Sequence, residues 1–108
     1  MKVDIESPEQ VGELIRASRK AMQIRQDDAA GIIGVSENFL GKVERGAETV
    51  QWGKLFQVMQ GLGLSVTIEV PENFADDIRK VLADTQKKAA TQNNAAQSAT
   101  SAQTTKAK

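Results

Sequence analysis

The segment Ser36-Glu37-Asn38-Phe39-Leu40-Gly41-Lys42-Val43-Glu44-Arg45-Gly46 brings carboxylate, amide, ammonium and guanidinium groups close together in a short polar stretch. It follows Ile24-Arg25-Gln26-Asp27-Asp28-Ala29-Ala30-Gly31-Ile32-Ile33-Gly34-Val35. Together they read as two short helices joined by a tight turn at Gly34, the second presenting a polar face at its N-terminal end. Such a pair suits DNA, with the second helix in the major groove and the first crossing the phosphate backbone. Other chemistries lack their reagents. The 108 residues contain no histidine and no cysteine. This removes the commonest general base, the commonest zinc ligand, and both disulfides and thiolate metal sites. Ser-Lys catalytic variants remain formally open, but there is no Gly-rich phosphate loop and no apolar run of membrane-spanning length. No signal peptide is expected from Met1-Lys2-Val3-Asp4-Ile5-Glu6, because no apolar segment follows the basic start. The expectation is a cytoplasmic, nucleoid-associated, non-enzymatic protein with no cofactor, no metal, no membrane association and no small-molecule ligand.

The elements that must position this segment are mostly amphipathic helices. Ser7 caps a first helix, with Pro8 at its first position and Gln10 completing a capping box. Val11, Leu14, Ile15 and Met22 then share one face. A second helix, from Gln26 to Ile33, buries Ala29, Ala30 and Ile33, and Gly34 takes the left-handed conformation that ends it. Val35 plugs the turn. Ser36 caps the third helix, whose Leu40 and Val43 face the core with Phe39 partly joining them, and Gly46 closes it. Trp52, Leu55, Phe56, Met59 and Leu62 have the spacing of a fourth helix, stopped at Gly63. Trp52 reads as core or dimer interface.

Leu64-Ser65-Val66-Thr67-Ile68-Glu69-Val70 alternates apolar and polar with period two and ends at Pro71, the pattern of a strand. A lone strand leaves its backbone groups unpaired. It pairs with the same strand of a second chain, through a face carrying Leu64, Val66, Ile68 and Val70, with Val3–Ile5 of its own chain, or with both. Its length favours the dimer. Asn73 then caps a fifth helix with Asp76 and Asp77 in the first turn and an apolar stripe of Phe74, Ile78, Val81 and Leu82. This stripe is a partner surface, or else packs on its own domain or the dimer mate. Beyond Ala89 the chain is Ala, Gln, Asn, Ser, Thr and a little Lys, with almost nothing to bury. The expected organisation is a DNA-binding domain over residues 1–63, a dimerisation strand over 64–71, an appended helix over 72–89 and a disordered tail over 90–108.

Charge is balanced, with 14 basic and 14 acidic side chains. Residues 11–55 hold seven bases and six acids. Non-specific affinity scales with phosphates neutralised, so it should be modest for one chain, and a dimer doubles the contacts.

Residues 24–46 resemble the Xre/Cro-type helix-turn-helix family through Gln26, Ala30, Gly34, Val35, Ser36, Leu40, Val43, Glu44 and Gly46. With helices one and four the likeness spans residues 7–63. It implies a mainly α, lambda-repressor-like bundle. Val3–Pro8 and Gly61-Leu62-Gly63-Leu64 running into Val66-Thr67-Ile68 are similar, more narrowly, to HipB-type antitoxins. That resemblance implies a homodimer with an intersubunit sheet, double-stranded operator DNA and a HipA-like serine/threonine kinase toxin as partners, and autorepression of a toxin–antitoxin operon. The alternatives are a stand-alone Xre-type transcriptional regulator and a protein-interaction adaptor without DNA binding.

The family resemblance also assigns roles. Glu37, Asn38 and Lys42 occupy its base-reading positions. Asn bonds adenine bidentately, Lys suits guanine or phosphate, and Glu accepts from cytosine N4; the plainer reading is a solvated helix face. Ser36 is a cap and a contact, or a cap alone. Gln26 anchors a phosphate at the N-terminus of helix two, or is a surface glutamine. Arg25 and Arg45 are phosphate candidates or solvated charges. Arg19 and Glu44 match a partly buried ion pair joining helices one and three. Two positions depart from the pattern: Arg25 replaces the usual Thr or Asn cap of helix two, and Gly41 leaves one base-reading position empty.

Overall fold

The computed structural model describes residues 1–96. Its helices are α1 (Pro8–Ala21), α2 (Gln26–Ile33), α3 (Glu37–Glu44), α4 (Trp52–Gly61) and α5 (Ala75–Ala96). The chain divides into two compact units, Met1–Val66 and the part from Thr67 onward.

The first unit is a four-helix bundle. Ser7 starts α1, its hydroxyl accepting from the Gln10 N–H at 3.3 Å. The Gln10 side chain reaches back one residue further than a capping box requires and accepts from the Glu6 N–H. The Ser36 hydroxyl starts α3 by accepting from the Phe39 N–H at 3.0 Å. Arg25 precedes α2 with no side-chain cap. Ile15, Ala29, Ala30, Leu40, Val43, Val58 and Leu62 form the core, with Val11, Ile33, Val35, Phe39, Leu55, Met59 and Leu64 packed against it. On α4 the fully buried side chain is Val58, a position outside the expected stripe. Trp52 is not core: it is 72% exposed, edge-on to Phe56 with ring centroids 5.0 Å apart. Standing first on α4, it rests against Phe56 one turn later and leaves most of its ring to solvent. Met22, the residue that closes α1, is likewise exposed rather than buried.

Two glycines set the geometry. Gly34, with φ of 97°, ends α2 and turns the chain toward α3; the left-handed conformation is free of steric cost only for glycine. Gly12 lets α1 approach α3, since a Cβ there would lie 2.4 Å from the Val43 carbonyl oxygen and 2.9 Å from that of Glu44. Backbone oxygens inside a packed bundle yield only by moving a helix. Gly12→Ala is therefore expected to cost about 1–3 kcal/mol, seen as a lower thermal midpoint of the full chain.

Residues 64–70 do not form a strand in the single chain, and no strand occurs among the described residues. Pairing with Val3–Ile5 is overturned with it, because residues 1–6 are also without ladder structure. Both pieces are short, and an isolated two-stranded pairing gains too little to hold.

In the second unit, a short 3-10 turn, Glu72–Phe74, leads into α5. Asn73 lies inside that turn instead of capping the helix; the Phe74 N–H bonds the Pro71 carbonyl at 3.1 Å. Asp76 and Asp77 occupy the first turn of α5, where Asp76 pairs with Arg79 at 2.5 Å on an exposed surface. The helix continues past the expected end at residue 89 to Ala96. Its last turns contain several alanines and neither glycine nor proline, so nothing local stops a favourable helix. Residues 97–108 of the expected tail lie outside the described residues.

Candidate nucleic-acid interface

Burying Leu40 and Val43 turns the opposite side of α3 outward. Glu37, Asn38, Lys42 and Arg45 are all exposed, as is Ser36 at its start. Gln26 from α2 joins Glu37, Asn38, Gly41 and Arg45 around an open depression of about 290 Å³. Residues far apart in sequence thus line one concave polar surface. Lys42 of α3 and Ser36, its N-cap, are exposed but do not line the depression. Arg25 stands at the start of α2 with its guanidinium 3.0 Å from the Asp27 carboxylate, in an exposed pair.

Beneath this surface lies a buried polar network. Arg19 of α1 donates from Nε to Glu44 Oε2 at 2.6 Å and from Nη2 to Glu44 Oε1 at 2.9 Å. Its Nη1 donates to the Ile24 carbonyl at 2.8 Å. The two side chains are 9% and 3% exposed. The fork therefore ties α1 to both the α1–α2 turn and the end of α3, with bidentate geometry, the strongest form of this contact. Burial opposes ionisation of Glu44, but hydrogen bonds from Arg19 and Gln26 and the charges of Arg19 and Arg16 outweigh it, so the carboxyl lies below its ordinary pKa. The hydrogen bond to Glu44 raises Arg19 against the opposing effect of its own burial.

Gln26 belongs to both layers. Its Nε2 donates to Glu44 Oε1 at 3.1 Å, and the residue is half-buried, not a free surface glutamine. One amide proton is thereby committed inward. This bond had no local signal, since eighteen residues separate the partners. A second unforeseen contact, from Gln57 Nε2 to the Ile33 carbonyl at 2.9 Å, satisfies the C-terminal end of α2 from α4. Among the described residues there is no group of three or more acidic side chains placed to hold a metal ion, and no helix is long and apolar enough to cross a membrane.

No family model matches the chain. The bundle is similar to that in the HipA-HipB-O2-O3 complex, with a TM-score of 0.60 and 22% identity over 66% of this chain and 100% of that one. The HipB-O4 20mer complex gives the same values. At that identity the likeness shows the lambda-repressor-like fold. Sequence similarity goes further: y4mF of Sinorhizobium fredii, described as an uncharacterized HTH-type transcriptional regulator, is 43% identical over 67 residues, which span 62% of this chain and 88% of that protein. With this identity, and with an α2–Gly34–α3 unit whose polar face is turned outward, the chain belongs to the helix-turn-helix (HTH-type) transcriptional regulators, a family of non-enzymatic proteins.

Proposed function

We propose that this chain is a sequence-specific operator-binding repressor that works as a homodimer. In this reading it represses its own operon as the antitoxin of a HipA-like kinase toxin. The observation carrying the DNA-binding part is the depression that gathers Gln26, Glu37 and Asn38 on the exposed side of α3. Asn38, Glu37 and Lys42 meet base edges in the major groove. Ser36 at the helix start and Arg25 contact the backbone. The second amide proton of Gln26 donates to a phosphate, alongside the free N–H groups that begin α2.

Val66, Ile68 and Val70 support dimerisation, because all three are exposed in the single chain and Ile68 is 80% exposed. Pairing residues 64–70 across a two-fold axis satisfies their backbone and covers these side chains. It also places two α3 helices for half-sites about one DNA turn apart. The antitoxin assignment is supported by likeness to HipB, whose whole chain is covered in the complex with HipA. The y4mF similarity favours a stand-alone regulator as the second reading, since that protein is described only as a regulator.

Gel shifts with duplex from the promoter upstream of the chain's own gene are expected to show a specific complex; none forms if the fold serves only protein contacts. Ile68→Asp is expected to convert a dimer to a monomer by light scattering, and an unchanged mass removes the strand from the interface. Co-purification of the adjacent gene's product, with kinase sequence motifs, separates the antitoxin from the stand-alone regulator.

A further inference from the structure

Arg45 closes α3, a place from which a side chain ordinarily reaches a phosphate. Its guanidinium instead lies back over the preceding turn. Nη1 is 3.1 Å from the point that a Cβ on Gly41 would occupy, and Arg45 lines the same depression as Gln26, Glu37 and Asn38. Helix geometry explains the direction. Each Cα–Cβ bond tilts toward the N-terminus, so a side chain covers the residue four positions earlier. Here that residue has no side chain, and the guanidinium occupies the space. Among the described residues it takes part in no ion pair or hydrogen bond. Its donors are uncommitted.

We propose that Arg45 is a base-reading residue, selecting guanine through the gap that Gly41 leaves on the recognition face. The inference rests on the DNA-binding reading above and names a specificity determinant within it. The guanidinium fork matches the O6 and N7 acceptors of guanine in the major groove. Arg45 shares its depression with Glu37 and Asn38, the side chains that meet base edges in the reading above. The absent side chain at residue 41 is thus replaced by one borrowed from the end of the helix.

Selection from a random-sequence DNA duplex library tests this with the full chain, Arg45→Ala, Arg45→Lys and Gly41→Leu. The wild type is expected to enrich a motif with a guanine at one fixed position in each half-site. Arg45→Ala and Gly41→Leu should each lose roughly 10- to 100-fold of the preference at that position and keep the rest of the motif. Arg45→Lys should keep part of it. Residue 45 is exposed, whereas Gly41 is buried with Gln26 Oε1 3.6 Å from where its Cβ would lie; circular dichroism checks both folds, and Arg45→Ala alone decides the proposal if Gly41→Leu does not fold. Retention of the guanine preference in either Arg45→Ala or Gly41→Leu overturns the proposal. So does a uniform weakening across all sequences in Arg45→Ala with a salt slope shallower by about 1, the signature of a phosphate contact. A wild type that enriches no sequence removes the DNA-binding reading itself, and this inference falls with it.

Discussion

Arg19→Ala is expected to lower the stability of the bundle by about 3–5 kcal/mol, the usual cost of removing one partner from a buried ion pair. The fork makes three hydrogen bonds, two to Glu44 and one to the Ile24 carbonyl. Its loss strands a carboxylate whose side chain is only 3% exposed. In a domain of this size the thermal midpoint should fall by on the order of 15 °C or more. A variant melting within a few degrees of the wild type would show that the network contributes little.

The same network gives stability a pH dependence of definite sign. The folded-state pKa of Glu44 lies below its ordinary value of 4.5. Its contribution is therefore fully present above pH 4.5 and is lost as pH falls from there through the folded-state value. Melts between pH 7 and pH 3 should show this acid loss in the wild type. Glu44→Gln removes the titrating group, so it should be less stable at pH 7 and should lack that part of the acid loss. An equal acid slope in the two proteins would place the titration elsewhere.

The second large effect belongs to the recognition face. Replacing Asn38 and Lys42 together by Ala is expected to weaken operator binding by about 2–4 kcal/mol, or ~30- to 1,000-fold, since each base contact contributes roughly 1–3 kcal/mol. Both side chains are exposed, and surface substitutions of this kind alter stability by only about 0.5 kcal/mol. The loss in a gel shift would then report binding and not unfolding. Removing Lys42 should also flatten the salt dependence if it touches a phosphate. If the double variant binds within about threefold of the wild type, α3 is not the reading helix.

Gln26 explains why some of the site escaped sequence reading. Its type and its place at the start of α2 pointed to a phosphate contact. That half of its amide is held by Glu44 depends on how α2 and α3 pack, which no local pattern records. Gly41 and Arg45 are similar. The sequence shows a missing side chain and a nearby cation, but only the packed helix lays one over the other. Trp52 and Val58 make the same point for the core: spacing identifies an apolar face on α4, while the placement of the other helices decides which residues of it are covered.

Residues 64–70 mark the opposite limit. Their alternation is a strand pattern, yet the single chain gives them no ladder, because a strand is completed by its neighbour and not by its own residues. What the amino-acid order determined unaided was local: four amphipathic helices, the left-handed turn at Gly34, the caps at Ser7 and Ser36, and the outward polar face of α3. These depend on contacts within a few residues, where spacing and side-chain type decide the outcome. The tertiary structure alone decided the shared depression, the Arg19–Glu44–Gln26 network and the close approach at Gly12. Each joins groups from different helices, and their distances exist only once the apolar faces have packed together.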